Sequence, residues 1–167
     1  MAAYAMAQAL RGDGEGARES LAGARARVTW TGLRHWVALA GVWAEAAAGG
    51  LARAVALALA HADECREGGP VAFESVALHD AVRLGAPASA LPRLTELAAI
   101  QDGPRVRLAA RHARALAEAD RTALLATAAD FDALGLHLFA AEARRQARAL
   151  AGGTLPSGTP TLRISRG

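Results

Sequence analysis

The densest run of chemically capable side chains is His61-Ala62-Asp63-Glu64-Cys65. On a helix His61 and Cys65 share a face at i, i+4, a spacing that offers an imidazole and a thiol to one metal ion. A zinc site needs three or four ligands. No second run of His or Cys completes this one, and Cys65 also falls on an apolar stripe. The expected reading is a core cysteine beside a half-exposed histidine, with no metal. Cys65 is the only cysteine, which excludes an intrachain disulfide and suits a reducing cytosol.

His35, His79, His112 and His137 have no nucleophile near them in any arrangement the sequence offers. Gly-x-Ser-x-Gly, His-Glu-x-x-His, a Walker loop and Gly-x-Gly-x-x-Gly are all missing. Gly12-Asp13-Gly14-Glu15-Gly16 follows a helical segment and no strand, so it reads as a turn in which Asp13 caps the next helix. Asp130 and Asp132 lie two apart on a helix and face different directions. No catalytic, cofactor-binding or metal-ligating residue is expected, and no cofactor.

Two arginine stripes are more suggestive of binding. Arg107, Arg111 and Arg114 follow i, i+4, i+7, and Arg144 and Arg148 form a second stripe. Either could receive a phosphate or an acidic partner, although the expectation is a solvated outer face whose stems cover apolar surface. Trp36 and Trp43, seven apart, share a helical face and are expected to fill gaps in the core. Residues 81–98 mimic a helix-turn-helix, with Ala81, Gly85, Leu91 and Leu94 at the right offsets. That segment offers only Ser89 and Arg93 to a base edge, and Pro92 sits where it would bend or break the helix.

The scaffold for these residues must be helical. Of 167 residues, 53% are apolar, 21% charged and only 4% aromatic, and alanine makes up a very large share. Alanine favours helices and disfavours strands, so sandwiches, barrels and Rossmann-type sheets are excluded. All 19 basic residues are arginine, set against 16 acidic ones for a net charge of +3. The charge is spread along the chain, unlike the single basic face of a dedicated nucleic-acid binder. No apolar run reaches the roughly 18 residues of a membrane span, and the N-terminus has no basic segment ahead of its apolar stretch. A cytoplasmic protein is expected.

Glycine and proline punctuate the chain. Gly69-Pro70, Gly85-Ala86-Pro87 and Gly103-Pro104 each place a glycine for a left-handed helix end before a proline for the next first turn. Apolar residues between these junctions recur every 3.6 positions, as in Leu51, Val55, Ala58, Ala62 and Cys65. Helices are predicted at 2–11, 14–27, 32–48, 50–67, 71–84, 87–100, 104–118, 121–134 and 136–151. Gly49, Gly85 and Ala119 end alternate helices at near-34-residue intervals, the step of tetratricopeptide-type repeats. The predicted fold is all-α, a tetratricopeptide-like helical-hairpin solenoid of about four hairpins plus a trailing helix over 1–151. Residues 152–167, rich in Gly, Pro and Thr, read as a disordered tail.

Particular segments carry a family resemblance. They are Leu51-Ala52-Arg53-Ala54, Ala77-Leu78-His79-Asp80-Ala81-Val82-Arg83-Leu84-Gly85, Arg93-Leu94-Thr95-Glu96-Leu97, Arg111-His112-Ala113-Arg114-Ala115-Leu116, and Ala128-Ala129-Asp130-Phe131-Asp132-Ala133-Leu134-Gly135 followed by Phe139-Ala140-Ala141-Glu142-Ala143. With these, Trp36 to Leu150 resembles the helical-repeat region of large ATP-binding LuxR-family transcriptional regulators. The resemblance implies a non-catalytic interaction and regulatory segment that contacts a protein partner or a neighbouring domain. The family's phosphate-binding loop and its C-terminal helix-turn-helix have no counterpart here, so none of its catalytic or DNA-contacting residues carries over. The chain is therefore expected to be a fragment or truncated product. The alternative is a free-standing DNA-binding protein that uses residues 81–98.

Overall fold

Alanine-rich segments with glycine, proline and aspartate at their ends should form short helices joined by tight turns, and they do. The computed structural model describes residues 1–27 and 31–152. Among them are α1 (Ala2–Leu10), α2 (Gly14–Arg25), α3 (Thr31–Ala47), α4 (Leu51–Gly68), α5 (Val71–Arg83), α6 (Pro87–Ile100), α7 (Pro104–Ala117), α8 (Arg121–Ala133) and α9 (His137–Ala151). No strand occurs among the described residues. The fold is all-α, with helix limits within a residue or two of those predicted. The tail expected over 152–167 lies, from 153 onward, outside the described residues.

Local chemistry accounts for the helix ends. Asp13 accepts a hydrogen bond from the Gly16 N–H at 2.9 Å and so caps α2, and Asp120 accepts one from the Ala123 N–H at 2.9 Å and caps α8. Pro87 and Pro104 occupy the first positions of α6 and α7. Helix α7 ends on Ala119 at φ 53°, the one non-glycine residue with positive φ among those described.

Gly69 departs from expectation. Its φ of −100° and ψ of −179° are extended, not left-handed. A Cβ there would lie 2.8 Å from Cys65 Cα, so close approach to the backbone of α4 is what requires glycine. Pro92 also differs from the expected break. It lies within a continuous α6, exposed on its surface.

The chain divides into two compact units, Met1–Ala77 and a second beginning at Leu78, with the division inside α5. In the first, α1 packs on α2 and α3, α2 on α3, and α3 on α4. In the second, α6 packs on α7, α7 on α8 and α8 on α9. More than half of the buried apolar residues are alanine, so helices approach closely and a few large side chains fill what remains. Trp43 does this in the first unit, fully buried on α3. Phe131 does it in the second, with Leu108, Ala140 and the half-buried Phe139 around it. Trp36 does not follow Trp43 into the core. It is 49% exposed and meets Phe73 edge-on with ring centroids 5.3 Å apart.

No helix among the described residues is long and apolar enough to cross a membrane.

Candidate functional site

Three groupings of polar side chains stand out: one at the surface of the second unit, one in its interior, and one inside the first.

The surface grouping belongs to α7. Its sequence from Pro104 to Ala117 holds four arginines and no acidic residue. Val106, Ala109 and Ala113 turn inward, which places Arg107, Arg111 and Arg114 together on the exposed face. Helices α6 and α7 bound an open groove of about 370 Å³ whose apolar surface comes from Ala98, Ala99 and Ala110. A second groove, of about 400 Å³, lies between α7 and α8 and is lined by Leu108, Ala133 and Leu134. Arg107 and Arg111 border both. Arg111 bonds Asp130 of α8 at 2.6 Å, whereas Arg107 and Arg114 have no ion pair among the described residues. The expected solvated face is thus a cationic ridge between two apolar furrows. Of the second stripe, Arg144 pairs with Asp132. Asp132 also receives His137 at 3.0 Å, and these hydrogen bonds, first from His137 and then from Arg144, hold its carboxyl below the usual range. Asp130 and Asp132 do point to different partners.

The interior grouping links α5, α7 and α9. His79 Nε2 lies 3.1 Å from His112 Nδ1, and His112 Nε2 lies 2.8 Å from Gln146 Oε1. An amide oxygen only accepts, so His112 carries its proton on Nε2 and His79 must donate from its own Nε2. Successive members are 33 and 34 residues apart. Burial pushes both imidazole pKa values down, that of His79 well below normal, with the neighbouring His112 and Arg83 acting in the same direction. Both rings are neutral at ordinary pH. Beside them Arg83 makes a two-pronged bond to Glu142 at 2.7 and 2.9 Å and a third contact to Asp80 at 2.6 Å. Burial disfavours the guanidinium charge, but the Glu142 and Asp80 carboxylates outweigh it and raise the Arg83 pKa above its usual value. The ring of Phe139 lies under this guanidinium at 4.7 Å.

Arg83 is therefore closed to an outside ligand. On α6, the exposed positions are Ala88, Ser89, Pro92, Thr95, Glu96, Ala99 and Ile100, and Arg93 is bonded to Glu96 at 2.7 Å. The helix-turn-helix look-alike at 81–98 presents no free cation to a phosphate or a base.

The grouping inside the first unit joins α3 to α4. Cys65 Sγ lies 3.6 Å from His35 Nδ1 and 3.8 Å from His61 Nε2. The sequence pairs only His61 with Cys65. The structure adds His35, and it buries His61 instead of leaving it half exposed, because α3 covers that face of α4. Phe73 stacks on the His35 ring at 4.9 Å. Burial pushes the Cys65 thiol up, reinforced by the Glu64 and Glu74 carboxylates, and pushes the His35 imidazole down, helped by His61. The ground state is a neutral thiol between imidazoles, not an activated thiolate–imidazolium pair.

A signal for His35 did exist. It lies fourteen residues before Gly49, and positions 61–65 lie twelve to sixteen after it. A helical hairpin turning at Gly49 brings those positions together. Comparison with protein-family models, with curated proteins and with solved structures returns no match.

Proposed function

We propose that this chain is a non-catalytic protein-interaction and regulatory segment of the LuxR-family type, acting in the cytoplasm. In this reading a tetratricopeptide-like stack of helical hairpins holds an acidic, amphipathic helical stretch of a protein partner or neighbouring domain. The observation that carries it is the α7 face. Arg107 borders apolar furrows on both sides and Arg114 borders the one against α6, both without ion pairs among the described residues, a pattern complementary to a helix with one apolar and one acidic face.

Two features support the repeat reading. The polar ladder of His79, His112 and Gln146 steps by 33 and 34 residues, the spacing expected of equivalent positions in consecutive hairpins. Helices α3, α5 and α7 are also each followed, two positions beyond their last residue, by a left-handed residue: Gly49, Gly85 and Ala119. A non-catalytic role is supported by the interior histidines, whose ring nitrogens are engaged with one another and with Gln146 inside the core. The α6 surface argues against DNA reading, since its cation Arg93 is engaged by Glu96 and its exposed donors are limited to hydroxyls such as Ser89 and Thr95. The family assignment rests on the segments quoted above, and an adjacent reading frame encoding a LuxR-type helix-turn-helix would support it.

Fluorescence anisotropy with a labelled acidic amphipathic helical peptide tests the proposal. Affinity in the micromolar range is expected, weakened about tenfold or more by Arg107→Glu with Arg114→Glu. Binding of random duplex DNA with a steep salt dependence, together with indifference to the peptide, would overturn it in favour of the DNA-binding alternative.

A further inference from the structure

We propose that His35, His61 and Cys65 form a zinc-binding site between α3 and α4. The ligand atoms of the three lie within 4.8 Å of one another, and all three residues are buried. Tetrahedral zinc, with Zn–S near 2.3 Å and Zn–N near 2.0–2.1 Å, sets the sulfur–nitrogen edge of its ligand shell at about 3.6 Å. The two edges here are 3.6 and 3.8 Å. The nitrogen–nitrogen edge lies within 4.8 Å, and binding would require it to close to roughly 3.4 Å, the value the same bond lengths set.

The outer contacts fit as well. His61 turns Nε2 to the sulfur and Nδ1 to Glu64, 3.4 Å from Oε2. A metal-bound histidine typically donates its other N–H to a carboxylate in this way, which fixes the tautomer. Phe73, stacked on His35, holds that ring in place. Glu64 is exposed, its side chain 65% accessible, so solvent reaches the edge of the cluster.

Without a metal the sulfur is only weakly engaged: it donates its one proton toward His61 and is a poor acceptor for a His35 N–H, at 3.8 and 3.6 Å. A cation satisfies sulfur and both rings. Binding breaks the S–H bond of Cys65, its proton passes to buffer, and the sulfur lone pair goes to the metal. Two imidazoles and a thiolate make a borderline-soft set suited to zinc. Three protein ligands leave the fourth position to water or another donor.

The test uses the full chain after chelator treatment, titrated with Zn²⁺ against a chromophoric competitor and with Co²⁺ for its spectrum. One equivalent of zinc is expected to bind with Kd below about 1 μM, releasing close to one proton. Cobalt should give a thiolate charge-transfer band with the intense visible absorption of a tetrahedral ion. Cys65→Ser should lose the charge-transfer band while keeping its helical circular dichroism. Glu64→Gln should keep the stoichiometry and weaken affinity about 10–100-fold. The wild-type cobalt spectrum decides the matter even if Cys65→Ser does not fold: no charge-transfer band overturns the site. Zinc affinity unchanged in a folded Cys65→Ser overturns it equally.

Discussion

His79 donates its Nε2 proton to Nδ1 of His112 across 3.1 Å, with the two rings nearly perpendicular and both inside the second unit. The contact exists only while His112 is neutral, because a proton added to its Nδ1 would set N–H against N–H next to Arg83. The folded pKa values lie below the ordinary 6.5. As pH falls through that value, the unfolded chain takes up protons that the folded chain refuses. The pair's contribution to stability is complete above about pH 6.5 and is lost as pH drops toward the folded pKa values. His35, shifted in the same direction, adds to the trend in the first unit. Denaturant midpoints should hold level down to about pH 6.5 and fall steadily from there to about pH 5.5. A midpoint that rises over this interval would contradict the neutral ladder.

Arg83 and Glu142 form a two-pronged bond, their side chains 3% and 5% accessible. Removing one member leaves an uncompensated charge in the core. Glu142→Ala should lower the unfolding free energy by about 3–5 kcal/mol, read from urea melts at constant m. A loss near that of an exposed ion pair, under about 1 kcal/mol, would show the pair to be solvated.

Ala119 holds a left-handed φ of 53° at the end of α7, where Gly49, Gly85 and Gly135 hold that conformation elsewhere. Its side chain is exposed, so replacement loses no packing. Ala119→Gly should stabilise the protein by about 0.5–1 kcal/mol, against the usual penalty of glycine near a helix. Thermal denaturation checks the sign, and a lower midpoint would contradict the assignment.

Asp120 caps α8 through the Ala123 N–H. Asp120→Ala should cost about 1 kcal/mol, measured in the same melts, and Asp120→Asn should recover most of that loss.

Most of the fold was legible because helix ends are local. Proline at a first turn, aspartate at a cap and glycine past an end act within a few residues, and they set the limits of α2, α6, α7 and α8 almost to the residue. Gly69 was misread because its need arises from the backbone of Cys65, a contact that exists only once α4 has formed. The inward stripes of α4, α7, α8 and α9 were also readable from their period. The clusters were harder. His61 and Cys65 sit one turn apart and so were visible as a pair, but His35 reaches them only through the hairpin at Gly49. Arg83 and Glu142, 59 positions apart, meet through packing that no local pattern encodes. The stripe of Arg107, Arg111 and Arg114 was plain, but the furrows beside it depend on where α6 and α8 lie.

The interaction claim is tested most directly by amide chemical-shift mapping of the isotope-labelled full chain during titration with an acidic amphipathic helical peptide. Shifts concentrated along the two furrows are predicted, at Thr95, Ala98, Ala110, Arg111 and Ala133, and should be abolished by the Arg107→Glu and Arg114→Glu double variant. Saturating peptide that leaves these amides unmoved, or that moves them equally in the double variant, would contradict the proposed role of the α7 ridge.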